Sequence, residues 1–230
     1  MKILGLIGGI SWVSTIDYYK LINQGINEQL GGLEFAECMI YSFNYGDIKR
    51  NNDTENWENT LQMLTKAGLG MKAVGAEAIV LCANTMHMVA DQLKENVQLP
   101  VIHIATVTAE AIKGAGLNKV GLLGTKFTME RDFFRDKLTE KGIEVLMPGA
   151  KERDHIHYTI FEEFGRNIFS GETKQFYLDV IDELVQQGAE GIILGCTEIP
   201  MLIHAEDVNI PLFDTMLIHS KAAVEFALKA

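Results

Sequence analysis

The chain has 230 residues, 47% hydrophobic and 22% charged, a composition that excludes disordered and collagen-like chains and leaves room for one large domain or two small ones. A formal net charge of −11 makes a surface that repels nucleic acid and anionic lipid, although it says little about a small anionic substrate held in a local pocket. Three cysteines, an odd number without a closely spaced framework, read as reduced thiols of a cytoplasmic protein and not as a disulfide scaffold.

The opening segment, Met1 to Val13, is apolar behind a single lysine, but Gly5, Gly8 and Gly9 interrupt it and no small-x-small cleavage site follows. It reads as a first strand, Ile3–Ile7, not as a leader. The pattern then predicts a helix over Ser14–Leu30, a strand over Glu34–Tyr41, a helix over Glu55–Val74, a strand over Ala78–Cys82, a helix over Thr85–Glu95 and a strand over Val101–Ile104. It continues with a helix over Thr106–Gly114, a strand over Val120–Leu123, a helix over Thr128–Lys141 and a strand over Glu144–Met147. Helices over Ile156–Phe169 and Thr173–Gln187, a strand over Gly191–Leu194 and, beyond Pro211, a closing helix over Thr215–Leu228 complete the series. Short unbroken apolar runs are what strands buried on both faces look like, and the helices between them supply crossovers. The expected class is α/β with mostly parallel sheets flanked by helices. No apolar run approaches the roughly 18 residues that span a bilayer, so no membrane partner is expected.

A coarse internal repeat appears when the strand ends are aligned. Gly5-Leu-Ile-Gly8-Gly9 and Ala78-Ile-Val-Leu-Cys82-Ala-Asn84-Thr85 in the first half match Gly121-Leu-Leu-Gly124-Thr125 and Gly191-Ile-Ile-Leu-Gly195-Cys196-Thr197-Glu198 in the second. Gly8 precedes Cys82 by nearly the same distance as Gly124 precedes Cys196, as duplicated halves would require. With Pro100 and Pro211 as crossing points, the expected division is a first domain of residues 1–102 plus 209–230 and a second of residues 103–208.

Ligands of open α/β sheets bind beyond the carboxyl ends of the strands, and two cysteines fall there. Cys82 ends one strand and precedes Asn84 and Thr85, which can start a helix; Cys196 ends another and precedes Thr197. Unpaired N–H groups at a helix start favour a thiolate, so both thiols are expected to have lowered pKa values and to work as bases. Cys38, inside Glu34–Tyr41 without such neighbours, reads as a small hydrophobe of a core strand. Ser11, Ser14 and Thr15 follow Gly8-Gly9, where a chain can approach an anion closely. Serine and threonine at such places also serve as plain helix caps. The glycines form neither a P-loop nor a GxGxxG fingerprint.

With these residues in view, the sequence resembles the cofactor-independent aspartate/glutamate racemases over nearly its whole length. The match lies in Gly8-Gly9-Ile-Ser-Trp with Ser14-Thr15 and Tyr18-Tyr19, in Cys82-Ala-Asn-Thr-Met-His87, in Gly121-Leu-Leu-Gly-Thr125 and in Gly195-Cys-Thr-Glu-Ile199. Glu198 stands where glutamate racemases proper carry histidine, which points to the aspartate/glutamate branch. The resemblance implies two similar α/β domains related by a pseudo-twofold with the active site between them, racemisation of aspartate or glutamate without pyridoxal phosphate or other cofactor, and a homodimer. By the same resemblance Cys82 and Cys196 are the catalytic acid–base pair. Ser11, Asn84, Thr85, Thr125 and Thr197 contact the α-carboxylate and amino group, and Arg50 and Arg166 hold the distal carboxylate; taken alone, each serine or threonine reads as a cap or turn residue and each arginine as a solvated surface charge. Near Arg166 the pattern departs, with Gly165 where lysine is expected. Glu198 and His87, two and five positions from their cysteines, are read as supporting residues that orient or deprotonate the thiols, with a helix-start acid and a satisfied structural histidine as the alternatives.

Two rivals remain open on the sequence: a related carbanion enzyme of the hydantoin racemase or maleate isomerase type, and a catalytically silent amino-acid-binding module. Metal is not expected, because His155-x-His157 lacks the further ligands that a zinc site needs. His103, His204 and His219 are scattered, and Trp12, Trp57 and the methionines read as core or pocket lining.

Overall fold

A computed structural model describes residues 1–229 of the chain. Two compact units emerge, Met1–His103 together with the segment from His219 onward, and Ile104–Ile218. In the first, β1 (Leu4–Gly8), α1 (Trp12–Leu30), β2 (Cys38–Ser42), α2 (Tyr45–Asp53), α3 (Trp57–Ala73) and β3 (Ala78–Leu81) are followed by a 3₁₀ turn (Thr85–Val89), α4 (Ala90–Val97) and β4 (Val101–Ile102). The second runs α5 (Ile104–Gly114), β5 (Lys119–Gly124), α6 (Lys126–Glu130), α7 (Asp132–Thr139), β6 (Glu144–Leu146), α8 (Ala150–Glu162), α9 (Gly171–Gln186), β7 (Ile192–Gly195) and β8 (Leu212–Asp214). The division falls inside α10 (Thr215–Leu228).

Each unit holds one four-stranded, wholly parallel sheet, ordered β2-β1-β3-β4 in the first and β6-β5-β7-β8 in the second. The identical order is the structural form of the internal repeat. Each sheet has its own core. Ile7, Ile79, Leu81, Leu64 and Leu93 close the first, and Leu122, Leu123, Ile192, Ile193 and Phe134 the second, all fully buried. Each such aliphatic or aromatic side chain stabilises the fold by about 1.5–3 kcal/mol relative to exposure. Helix α1 buries Ser14, Thr15, Tyr18, Ile22 and Ile26, the three-and-four spacing of one helical face.

The differences from the expected elements have physical causes. The strand foreseen over Glu34–Tyr41 forms at Cys38–Ser42, and it is an edge strand whose later residues are exposed. Cys38 is therefore half-buried on a sheet edge, not a core residue. Between Tyr41 and Glu55, where the sequence pattern predicts no element, the chain forms helix α2, started by Asn44, whose side chain accepts a hydrogen bond from the Gly46 N–H. Thr128–Lys141 is two helices, broken where Arg131 takes an extended backbone (φ −90°, ψ 152°). Helix α8 begins at Ala150 and ends at Glu162, earlier at both ends than the periodicity indicated. Residues 212–214, given no element by the sequence, form β8 and pair with β7. The segment from 209 that was assigned to the first domain thus contributes a strand to the second sheet, and the second unit reaches Ile218. Trp57 packs on the first core, whereas Trp12 is 67% exposed and packs in neither core.

Candidate functional site

In each unit, adjacent strands deliver the residues of interest at their carboxyl ends. In the first unit these are the β1–α1 loop with Ser11 and the β3 loop with Cys82, Asn84, Thr85 and His87; β1 and β3 are paired neighbours. In the second they are Thr125 after β5 and Cys196, Thr197 and Glu198 after β7, again paired neighbours.

Glycines keep these loops close to their strands. A Cβ on Gly9, whose φ is +78°, would lie 2.3 Å from the Phe43 carbonyl oxygen, and one on Gly195 would lie 2.7 Å from that of Leu123. The Gly9 N–H donates to Thr15 Oγ1 at 2.9 Å, and Thr15 Oγ1 donates to the Ser11 carbonyl at 2.9 Å. Thr15 thus ties the glycine loop to the start of α1. Ser11 occupies the position before α1, but its hydroxyl makes no capping bond.

Cys82 extends the ladder: its N–H donates to the Ile7 carbonyl at 2.9 Å. Its sulfur is fully buried, 3.9 Å from the Val80 carbonyl. Cys196 is not its register equivalent. Ile79 pairs with Gly5 and Ile192 with Gly121, which sets Gly195, not Cys196, level with Cys82; Cys196 stands one residue further along. The surroundings differ as well. Cys196 Sγ donates to Glu198 Oε2 at 2.9 Å, and Thr197 Oγ1 donates to the same oxygen at 2.7 Å. At the position two beyond Cys82 there is Asn84 in place of a carboxylate.

The expected lowering of both thiol pKa values is overturned. Burial pushes Cys82 far above the ordinary thiol range. Burial also raises Cys196, and the Glu198 carboxylate raises it further by its charge and by accepting the S–H. The N–H groups of Glu198 and Thr197 do pull Cys196 down, as a helix start should, but less strongly. Only 3₁₀ turns follow each cysteine, Thr85–Val89 and Ile199–Met201, and such short turns carry little dipole against so deep a burial.

Thr125 caps α6, its Oγ1 accepting from the Thr128 N–H at 3.3 Å. His87 is buried, and its Nδ1 lies 3.0 Å from the Ala83 carbonyl and 3.2 Å from that of Asn84, which ties the Cys82 loop to the 3₁₀ turn. Arg50 and Arg166 point to solvent. Each pairs with a carboxylate about one turn away on its own stretch of chain, Asp47 and Glu162 respectively. Such exposed local pairs are worth about 0.3–0.5 kcal/mol and exchange readily for another carboxylate. His155 meets Phe176 edge-on, and His157 Nδ1 accepts from the Lys126 N–H at 3.1 Å. Among the described residues no group of three His, Cys, Asp or Glu side chains is arranged to hold a metal ion. No helix among them is long and apolar enough to cross a membrane.

The sequence predicts no pairing of Tyr18 with His219. They lie 201 positions apart yet share a hydrogen bond of 2.8 Å, and no local pattern signals such a pair.

Two parallel sheets of identical order, each with a cysteine beyond its third strand in chain order, define a class of duplicated α/β enzymes. The chain belongs to the Asp/Glu/Hydantoin racemase family, whose model matches residues 7–223. It is similar to a crystal structure from Yersinia pestis provisionally described as an Asp/Glu racemase, with 47% identity, a TM-score of 0.95 and complete coverage of both chains. A crystal structure of an aspartate racemase homologue from Pyrococcus horikoshii shares 36% identity with a TM-score of 0.87, again over the whole of both chains. A broad specificity amino-acid racemase of Bacillus subtilis is 21% identical over 96% of each chain. Family membership places the protein among the racemases, a class of isomerases.

Proposed function

We propose that the protein interconverts L- and D-aspartate, or the glutamate enantiomers, by a two-base mechanism in which Cys82 and Cys196 act on opposite faces of one α-carbon. The observation that carries this reading is the pair of buried cysteines beyond β3 and β7, the third strands in chain order of two sheets with the same order. Inversion needs a base on one face and an acid on the other, and a duplicated fold supplies one from each half. Burial keeps each thiol protonated at neutral pH, so one of them must lose its proton to start a turnover. Glu198 Oε2 is the acceptor in place for Cys196, and the Thr197 hydroxyl fixes that carboxylate oxygen beside the sulfur. The Cys196 thiolate then removes the α-proton of one enantiomer, and the Cys82 thiol returns a proton to the other face. The roles reverse for the other enantiomer.

The α-proton of an amino acid is weakly acidic, so donors aimed at the α-carboxylate must stabilise the carbanion. Asn84 and Thr85 beside Cys82, and Ser11 and Thr125 beyond the neighbouring strands β1 and β5, are the residues for this task, while the Thr197 hydroxyl gives its one proton to Glu198. Arg50 and Arg166 exchange their local carboxylates for the distal carboxylate of the substrate. The test is racemisation of each aspartate and glutamate enantiomer by purified protein without added cofactor, read by chiral chromatography. Cys82→Ala and Cys196→Ala should each abolish inversion while the folded far-ultraviolet spectrum persists. Near wild-type turnover in either variant refutes the assignment.

A further inference from the structure

The chemistry just described leaves a group of buried polar side chains in the first unit without a task. Tyr18 of α1 and His219 of α10 are fully buried, and His87 nearly so. Tyr18 Oη lies 2.8 Å from His219 Nδ1, and His219 Nε2 lies 2.7 Å from the Ile102 carbonyl of β4. A carbonyl can only accept, so His219 carries its proton on Nε2 and its Nδ1 accepts from the tyrosine. The same reasoning puts the His87 proton on Nδ1, where it is shared between the Ala83 and Asn84 carbonyls. The Asn84 carbonyl also accepts the His87 backbone N–H at 3.0 Å. These carbonyls belong to the two residues immediately after Cys82, so the His87 ring holds the backbone that leaves the cysteine.

The ring is itself held. It meets His219 edge-on at 5.3 Å between centroids and His103 at 4.9 Å. Because both nitrogens of His219 are engaged, that ring cannot flip without breaking two bonds, and it forms a fixed wall for His87. A plain apolar core would fill the same space without the cost of desolvating imidazoles, a cost visible in the lowered pKa values of His87 and His219. The Cys196 loop is held differently: Thr215 Oγ1 donates to the Leu194 carbonyl at 2.9 Å, and Glu198 Oε2 accepts from the thiol itself at 2.9 Å.

We propose that Tyr18, His219 and His87 form a buried positioning relay that sets the backbone of the Cys82 loop, so that proton transfer at Cys82 depends on it and proton transfer at Cys196 does not. These are positioning residues, since the relay reaches the cysteine only through the Ala83 and Asn84 carbonyls. The proposal rests on the reading of the two cysteines as an acid–base pair.

The two thiols can be assayed separately with the enantiomers of 3-chloroaspartate. In each enantiomer the thiolate facing the α-hydrogen removes that proton. The α-carbanion's electron pair forms the C=C bond as chloride leaves with the C–Cl pair. The resulting enamine tautomerises and takes up water to give a 2-oxo acid and ammonia. No proton has to come back from the opposite thiol. Cys82→Ala identifies the enantiomer served by Cys82. On that enantiomer His87→Leu should slow chloride release by about tenfold to hundredfold, the scale of a displacement of about 1 Å, with the other enantiomer changed by less than about twofold. His87→Asn, which keeps an N–H near the Nδ1 position, should recover most of the loss. Tyr18→Phe, a milder change that decides the matter where His87→Leu does not fold, should show the same one-sided loss. Equal slowing of both enantiomers, or of neither, overturns the relay while leaving the two-cysteine mechanism standing. A wild-type protein inert toward both chloro compounds and toward both enantiomers of aspartate and of glutamate overturns the mechanism and the relay with it.

Discussion

Replacing Glu198 by glutamine should move two properties of Cys196 in opposite directions. The carboxylate oxygen lies 2.9 Å from the sulfur, and its charge disfavours the thiolate. At that separation two unit charges interact by about 1.4 kcal/mol at the dielectric constant of water and about 6 kcal/mol at an effective value of 20. Glu198 is only partly buried, so the lower figure is the safer one. Since about 1.4 kcal/mol is a factor of ten in an equilibrium constant, Glu198→Gln should lower the Cys196 pKa and raise its thiolate fraction by at least about tenfold. A less basic thiolate is also a weaker nucleophile, with a Brønsted slope of about 0.4–0.5, so the tenfold gain in thiolate becomes a gain of at least about threefold in alkylation rate. Racemisation should instead fall by about 10²-fold or more, because the group that takes the thiol proton during turnover has been removed. The assay is iodoacetamide labelling at fixed pH, read by mass spectrometry on the peptide that contains Cys196, alongside chiral turnover. Cys196 labelling that is unchanged or slower in the variant, or turnover that is unaffected, would refute the reasoning.

Acid stability should report the buried imidazoles. Burial lowers His87 from 6.5 to about 4 and His219 to about 3, so the unfolded chain takes up protons that the folded chain refuses. Stability from this source is complete above pH 6.5 and is lost as pH falls toward 4 and then 3, by up to about 1.4 kcal/mol per pH unit for each ring. Urea unfolding of His219→Gln between pH 6 and 4.5 should show a slope shallower than wild type by about that amount, and the difference cancels groups such as Asp214, whose burial acts in the opposite sense; an unchanged slope counts against the account. Two glycines should respond with opposite signs. Gly9→Ala, which meets Phe43 backbone atoms at 2.3 and 2.4 Å and keeps a φ of +78°, should destabilise by about 1–3 kcal/mol or more. Gly70→Ala, exposed in α3 with nothing within 4 Å of the added carbon, should stabilise by about 0.5–1 kcal/mol. Thermal melts that shift both in one direction would contradict the conformations described.

The sequence shows the alternation of elements and the duplication because parallel strands buried on both faces leave continuous apolar runs, and because the repeated glycines mark where each first strand ends. It does not show β8 or α2. Leu212–Asp214 is three residues long and gains its identity only from pairing with β7, while α2, from Tyr45 to Asp53, has almost no apolar face and depends on Asn44 to start it. Cys82 and Cys196 were legible from their place after apolar runs. Their raised pKa values were not, because burial is a tertiary property and it outweighs the local N–H groups that the sequence does reveal. The Tyr18–His219 bond is invisible for a related reason: it joins helices from opposite ends of the chain.

The central claim is that two different atoms serve the two faces of the α-carbon. It is tested most directly by letting the protein act on L-aspartate in heavy water and stopping the reaction while little substrate has turned over. Two thiols predict D-aspartate carrying one α-deuterium, with the recovered L-aspartate still protiated, because the proton taken by one sulfur is not the one returned by the other. Deuterium appearing equally in recovered substrate and product from the earliest times would mean that a single base serves both faces, and the account would be wrong.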